Sequence, residues 1–209
     1  MTLKPLFAAA VLASAPLGSN AEPLSDSGYV TGCTDAGCFI ESRGFSLSVT
    51  DATTPSDLMT LLRSLPNVSA IAFDGEMTNM GDSSADLALT KVTKVADDLN
   101  EGNLQYMQGD WAPVGEETPF VIRISGLTWQ EVVQDEPGDS FAIVASDACA
   151  DGVVPGGMAI NLYRLGDDPA ADGCWQLEGI TDTSMFLRDF QGDWGQIEYT
   201  RLTPFPLTF

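Results

Sequence analysis

The chain contains no histidine, so the usual base for a serine or cysteine nucleophile is missing. Carboxylate pairs remain possible for acid–base chemistry, because Asp and Glu number 30 against 9 Lys and Arg. Their placement does not suggest catalysis. Glu116-Glu117, Asp135-Glu136 and Asp167-Asp168 all sit in turn-like stretches, where solvated carboxylates are ordinary. A glycoside hydrolase would need two carboxyls facing each other across a cleft, and no spacing here sets that. Asp147 with Asp151, and Asp167, Asp168 and Asp172, offer hard oxygen ligands of the kind calcium takes. Neither group follows the twelve-residue calcium loop, so weak calcium binding is a minority reading and no metal is assigned. GVVPGG lacks the terminal lysine and the strand-to-helix setting of a phosphate-cradling loop. The expectation is a protein that is not an enzyme and holds no cofactor.

The four cysteines carry the other chemistry. Without histidine, and with Cys33 and Cys38 in TGCTDAGC at an uncommon spacing, a zinc site is weakly supported. The two-residue spacing of a redox pair is also missing. Disulfides fit better, because the chain opens like an exported protein. A positive start is followed by LFAAAVLASAPL and by the small residues Ser19-Asn20-Ala21, the pattern of a cleaved signal segment over residues 1–21. That predicts a bacterial periplasmic or secreted protein without membrane insertion after cleavage. Of three pairings, the closeness of Cys33 to Cys38 and the strand-like segment between Cys149 and Cys174 favour Cys33–Cys38 and Cys149–Cys174. The net charge of −21 argues against nucleic acid and anionic membrane surfaces, and suits cations or basic partners.

The elements that must position these residues fall into two parts. Residues 22–100 read as a small α+β module. Phe45, Leu47 and Val49 alternate with serines as a half-buried strand. TTPSDLMTLLRSLP then predicts one amphipathic helix over 55–65, with Thr54 as cap, Pro55 in the first turn and Asp57 near the free amides. Leu58, Leu61, Leu62 and Leu65 make its apolar stripe, and Pro66 ends it. SAIAFDG and the Leu87/Leu89 alternation supply further strands, with the helix lying over the sheet.

From residue 101 to 203 short apolar segments follow one another: a first strand around Trp111, then FVIRI, LTWQEVV, SFAIVA, MAINLYRL, CWQLEGI, MFLRDF and QIEYTRL. The connections SG, DEPGD, DGVVPGG, GDDPAADG, TDTS and QGDWG are too short for crossover helices, so consecutive strands must pair antiparallel. Eight strands of this kind predict a closed up-and-down barrel. The fold class expected is mainly β, with the barrel joined to the α+β module. Phe120, Ile122, Met158, Ile160, Leu162 and Met185 belong to the inward row. Val144 and Tyr163 face outward, where they could cover a contact with the first module. A Cys149–Cys174 bridge closing about 25 residues would contribute about 3 kcal/mol through the unfolded state. The tail 204–209 carries Pro204 and Pro206 and makes a poor strand.

The tetrapeptide QGDW occurs at 108–111 and again at 191–194, but the residues after each copy differ, which argues against duplication. Closure brings the first and last strands together, so both copies belong to one barrel. LQYMQGDWAPVGEETPFVIRISGLTWQEVV resembles the opening of small exported bacterial lipocalin-like (calycin-type) proteins, in which Gly-x-Trp begins the first strand. Gly109-Asp110-Trp111 matches that motif, and Arg201 falls where lipocalins carry a basic residue over the Trp ring. The segment from Cys149 to Cys174 is similar to this group as well, where a cysteine pair often flanks such a strand. The resemblance covers roughly residues 102–203 and assigns structural roles to Gly109, Trp111 and Arg201. Trp194 reads as a hairpin-tip residue.

The resemblance implies a binding protein, with the six inward residues contacting a small hydrophobic ligand. The alternative is an envelope protein–protein interaction or inhibitor-like protein with a solid-core barrel. A monomer is favoured. A third reading, an enzyme using acidic residues, would require a concave cluster of carboxylates with raised pKa values.

Overall fold

The structure is a computed structural model that describes residues 21–115, 119–149, 152–153, 156–165, 173–190 and 195–202. It contains two closed β-barrels joined through a short helix.

The first barrel is built from β1 (Glu22–Thr34), β2 (Gly37–Ser42), β3 (Phe45–Val49), helix α1 (Ser56–Ser64), β4 (Ser69–Thr78) and β5 (Ser84–Lys94). Its strands lie in the order β1-β2-β3-β5-β4 and close on themselves through β1 and β4. β3 and β5 run parallel, and the remaining pairs are antiparallel. With the helix between β3 and β4, this is the connectivity of the OB class of five-stranded Greek-key barrels. One long strand makes closure feasible. The N-terminal part of β1, Glu22 to Val30, pairs with β4, and its C-terminal part pairs with β2, with a register shift between Val30 and Gly32. Such a bulge bends a strand and increases its twist.

The core of this barrel holds Val30, Ile40, Leu47, Val49, Ile71, Phe73, Leu87 and Leu89, with Met59 and Leu62 of α1 inserted into it. The apolar face of the helix is therefore centred on Met59 and Leu62. Leu58, Leu61 and Leu65 flank it and are only partly buried. Thr54, expected as the cap, does something else: its hydroxyl accepts the N–H of Leu89 at 3.2 Å and is buried. The N-cap position is Pro55, with no side-chain cap. Asp57 in the first turn and Arg63 in the last still oppose the helix dipole. The Cys33–Cys38 disulfide, with Cα atoms 4.0 Å apart, staples the β1–β2 hairpin at a directly opposed pair.

The second barrel follows helix α2 (Glu101–Met107) and consists of β6 (Gly109–Pro113), β7 (Phe120–Ser125), β8 (Thr128–Val133), β9 (Glu136–Ser146), β12 (Met158–Arg164), β13 (Gly173–Ile180), β14 (Ser184–Asp189) and β15 (Gln196–Arg201). A two-residue ribbon, β10 (Ala148–Cys149) with β11 (Gly152–Val153), sits between β9 and β12. All eight barrel strands pair antiparallel in meander order, and β15 returns to β6. Alternation supplies the core, since Ile122 and Ile124 are buried while Arg123 is exposed. Cys149 and Cys174 are bonded, with Cα atoms 5.9 Å apart, and pack with Ala159 and Phe190 in a small separate cluster.

The β8–β9 connection is tighter than DEPGD suggests. Val133 pairs with Glu136, leaving only Gln134 and Asp135 in the turn, at φ 54 and 66. Two left-handed residues match the twist of a hairpin, and Glu136, Pro137 and Gly138 belong to β9. Asp135→Gly should relieve part of the left-handed penalty of about 1 kcal/mol. The melting temperature, followed by circular dichroism, should then rise, by less than the roughly 2–4 °C that a full 1 kcal/mol would give.

Candidate functional site

Gly109, Trp111 and Arg201, singled out in the sequence, meet at one end of the eight-stranded barrel, where α2 joins the first and last strands. Trp111 is fully buried, and its indole N–H donates to the Met107 carbonyl at 2.8 Å. The Arg201 guanidinium lies over the Trp111 ring, 4.1 Å from its centroid. The same guanidinium donates to the carbonyls of Tyr106 and Gln108 at the end of α2, and its Nε donates to the Asp182 carbonyl at 2.6 Å. Burial pulls the Arg201 guanidinium below its ordinary pKa, against an opposing pull from Asp182. Gly109 stands at φ 116, which favours glycine between α2 and β6. The Gln108 side chain completes the arrangement: its Nε2 donates to the carbonyls of Leu104 at 2.9 Å and Gly126 at 3.0 Å, and its Oε1 accepts the Gly126 N–H at 2.7 Å.

The opposite end of α2 is held by the first barrel. One carboxylate oxygen of Asp98 accepts the N–H groups of Asn100 at 3.0 Å and Glu101 at 2.7 Å, and the Tyr29 hydroxyl at 3.1 Å. Glu101 accepts the Ala70 N–H at 3.1 Å and pairs with Lys94 at 3.3 Å. Burial first, and then the Asp98 charge, push the Tyr29 hydroxyl well above its usual pKa. Apolar contacts reinforce the joint. Val68, from the turn before β4, is fully buried in the same cluster as Leu104, Met107 and Trp111, and Tyr29 packs against that cluster. Val68 has φ 61, a conformation a β-branched residue adopts only under constraint. Gly126 has φ 59, and a Cβ there would lie 2.8 Å from Thr31 Cβ, so the β7–β8 turn approaches β1 without room for a side chain.

The six inward residues Phe120, Ile122, Met158, Ile160, Leu162 and Met185 fall in a single hydrophobic cluster. Ile122, Ile160 and Met185 have no accessible surface, while Met158 and Leu162 are nearly as buried. Phe120 is partly buried, at the other end of the barrel. Around them pack Ile124, Trp129, Phe141, Ile143, Leu177, Leu187 and Tyr199. Trp129 is buried with no hydrogen-bond partner for its indole N–H.

Elsewhere, the Glu41 carboxyl is pushed above its ordinary value by burial, with a hydrogen bond from Thr31 working the other way. Glu131 is likewise pushed up by burial and by the Asp139 charge, against Arg164. Asp135, Glu136 and Asp147 are exposed. Tyr163 lines a cleft with Ala142, Arg43 and Asp82, so this outward residue does face the first barrel. Among the described residues no group of three or more acidic or cysteine side chains could hold a metal ion. Glu116, Glu117, Asp151, Asp167, Asp168, Asp172, Trp194, residues 1–20 of the signal segment and the tail 204–209 lie outside the described residues.

The eight-stranded barrel has the lipocalin-like (calycin) form. No family model, curated protein or solved structure matches the chain. Sequence reasoning missed α2 and its anchors Asp98, Glu101, Gln108, Tyr29 and Val68. A signal for the helix is present, because Asp98 and Glu101 are spaced like a capping box and precede Leu104 and Met107 at helical spacing.

Trp111→Ala should cost about 3–5 kcal/mol in urea unfolding through the cavity it leaves. Arg201→Met should cost about 2–3 kcal/mol by orphaning buried carbonyls, and Arg201→Lys should recover little, because an ammonium lacks the planar fork. For Glu41, the unfolded carboxyl ionises near its ordinary value of 4.5, and burial raises the native one above it. Native stability therefore falls as pH rises from that value through the higher folded one. Glu41→Gln should flatten that dependence and exceed the wild type at neutral pH, as read from urea midpoints at about pH 4 and about pH 7.

Proposed function

We propose that this chain is an exported, non-catalytic binding protein whose partner is a polypeptide met at its surface, with the barrel interior serving as core. The observation that carries this reading is the packing of the inward row. A carrier for a small hydrophobic molecule needs a pocket of about 300–1,000 Å³, whereas Ile122, Ile160 and Met185 leave no accessible surface at the middle of the row. The acidic surface supports a basic polypeptide over nucleic acid. The absence of histidine from the sequence supports a non-catalytic role, because the commonest general base is missing. Export to the bacterial periplasm or exterior rests on the signal-like start and suits the two disulfides.

The carrier reading keeps one specific support. The unpartnered Trp129 N–H inside the row is the kind of buried donor that a ligand oxygen or an ordered water would satisfy. Native mass spectrometry of protein recovered from the producing cell's envelope separates the two. The expected result is a chain beginning at Glu22, alone or bound to a second polypeptide. A reproducible lipid adduct of fixed mass would overturn the surface reading, and a chain retaining residues 1–21 in the cytoplasm would overturn export.

A further inference from the structure

The outer face of the first barrel carries an aromatic ring and a carboxylate in one row. Alternation in GCFIES sends Cys38 and Ile40 into the core and leaves Phe39 outside, 44% exposed. The same alternation buries Leu47 and Val49 of β3 and Ala85 and Leu87 of β5, so Ser48 and Asp86 face outward. Directly opposed residues of neighbouring strands share a face. The register therefore lines up Gly32, Phe39, Ser48 and Asp86 across β1, β2, β3 and β5.

A singly exposed ring is ordinary on a protein surface, and it is the setting of Phe39 that gives it a use. Its cross-strand neighbours are a glycine and a serine, and a Cβ built on Gly32 would meet no atom within 4 Å. Neither neighbour is large enough to cover the ring. Asp86 is exposed, and its Oδ2 accepts the Asn79 side-chain amide at 2.7 Å, which orients the carboxylate and leaves Oδ1 for a partner. Strands lie about 4.8 Å apart, so Phe39 and Asp86 stand about 10 Å apart with only Ser48 between them. A cation within about 6 Å of the ring centroid would lie over Ser48 and within reach of the carboxylate. The chain supplies no such cation. Of its 9 Lys and Arg residues, Lys4 lies outside the described residues, seven pair with carboxylates, and Arg201 is held by main-chain carbonyls. With a net charge of −21, the uncompensated groups at the surface are acidic.

We propose that this row receives an arginine of the partner polypeptide, its guanidinium stacked on Phe39 and hydrogen-bonded to Asp86 across Ser48. Arginine is specified over lysine because a planar guanidinium stacks on a ring while its edge donors stay free for a carboxylate, whereas an ammonium is a compact, strongly hydrated charge. Aromatic and arginine side chains are also the groups that dominate binding energy at protein interfaces. The proposal rests on the surface-binding reading and names its site and the chemistry of its partner.

The test titrates the full mature chain, disulfides intact, with a blocked peptide of arginines among glycines, with its lysine counterpart and with its glutamate counterpart. Binding is followed by amide and aromatic NMR at low salt, where exposed charges are least screened. The arginine peptide should move the signals of Gly32, Phe39, Ser48 and Asp86 most and bind about threefold or more tighter than the lysine peptide. Phe39→Leu keeps an apolar side chain without the ring and should abolish that preference. Asp86→Asn should weaken both basic peptides by about threefold or more. Both positions are exposed, and an unchanged melting temperature would show each variant folded. Equal affinity for arginine and lysine, or shifts centred elsewhere and untouched by both variants, overturns the row but leaves surface binding of basic polypeptides standing. Equal binding of the glutamate peptide overturns the row as a cation site. No binding by either basic peptide overturns the proposal together with the basic-polypeptide reading beneath it.

Discussion

The structure depends on the guanidinium of Arg201 held between the Trp111 ring and the last carbonyls of α2. An eight-stranded barrel closed by pairing its first and last strands still has an end to fill. Here an indole and a seven-residue helix fill it. That solution creates its own polar demand, because the final carbonyls of a helix have no partner within it. Arg201 meets the demand from the last strand. It caps the helix, covers the ring and faces Trp111 across the β15–β6 ladder that closes the barrel. A charge buried this way is tolerable because every surrounding group favours it: carbonyls at the negative end of a helix and the electron-rich face of an indole.

Because α2 is held at both ends, the same arrangement fixes the relation of the two barrels. Asp98 and Glu101 tie the beginning of the helix to Tyr29, Ala70 and Lys94, while Arg201, Trp111 and Gln108 tie its end to the second barrel. Helices this short are unstable in isolation, so α2 exists because both bodies hold it. The left-handed Val68 belongs to this joint. Its strained backbone is set by the hydrogen bond from its N–H to the Val30 carbonyl at 2.7 Å, and its side chain is delivered into the core of the neighbouring barrel. Backbone strain of this size persists only where the surroundings over-determine it.

Much of the second barrel was legible in the sequence for a physical reason. Period-two alternation separated by Gly, Asp and Pro clusters has few other solutions, and the pairing of Trp111 with Arg201 was implied by the resemblance to lipocalin-like proteins. The first barrel was harder. β1 serves two neighbours and bends between them, so its burial does not alternate cleanly along its length, and Thr54 looked like a helix cap although its hydroxyl serves Leu89. α2 spans seven residues, too few for periodicity to stand out. The inward row was identifiable from alternation alone, but its density was not. The same residues Ile122, Ile160 and Met185 could line a cavity or fill a core, and only the distances between walls decide which. Of the two QGDW copies, the first places the buried Trp111 at the base of the barrel, and its other letters are explained by the turn at Gly109 and the pairing of Asp110 with Arg123 at 2.9 Å; the second lies outside the described residues.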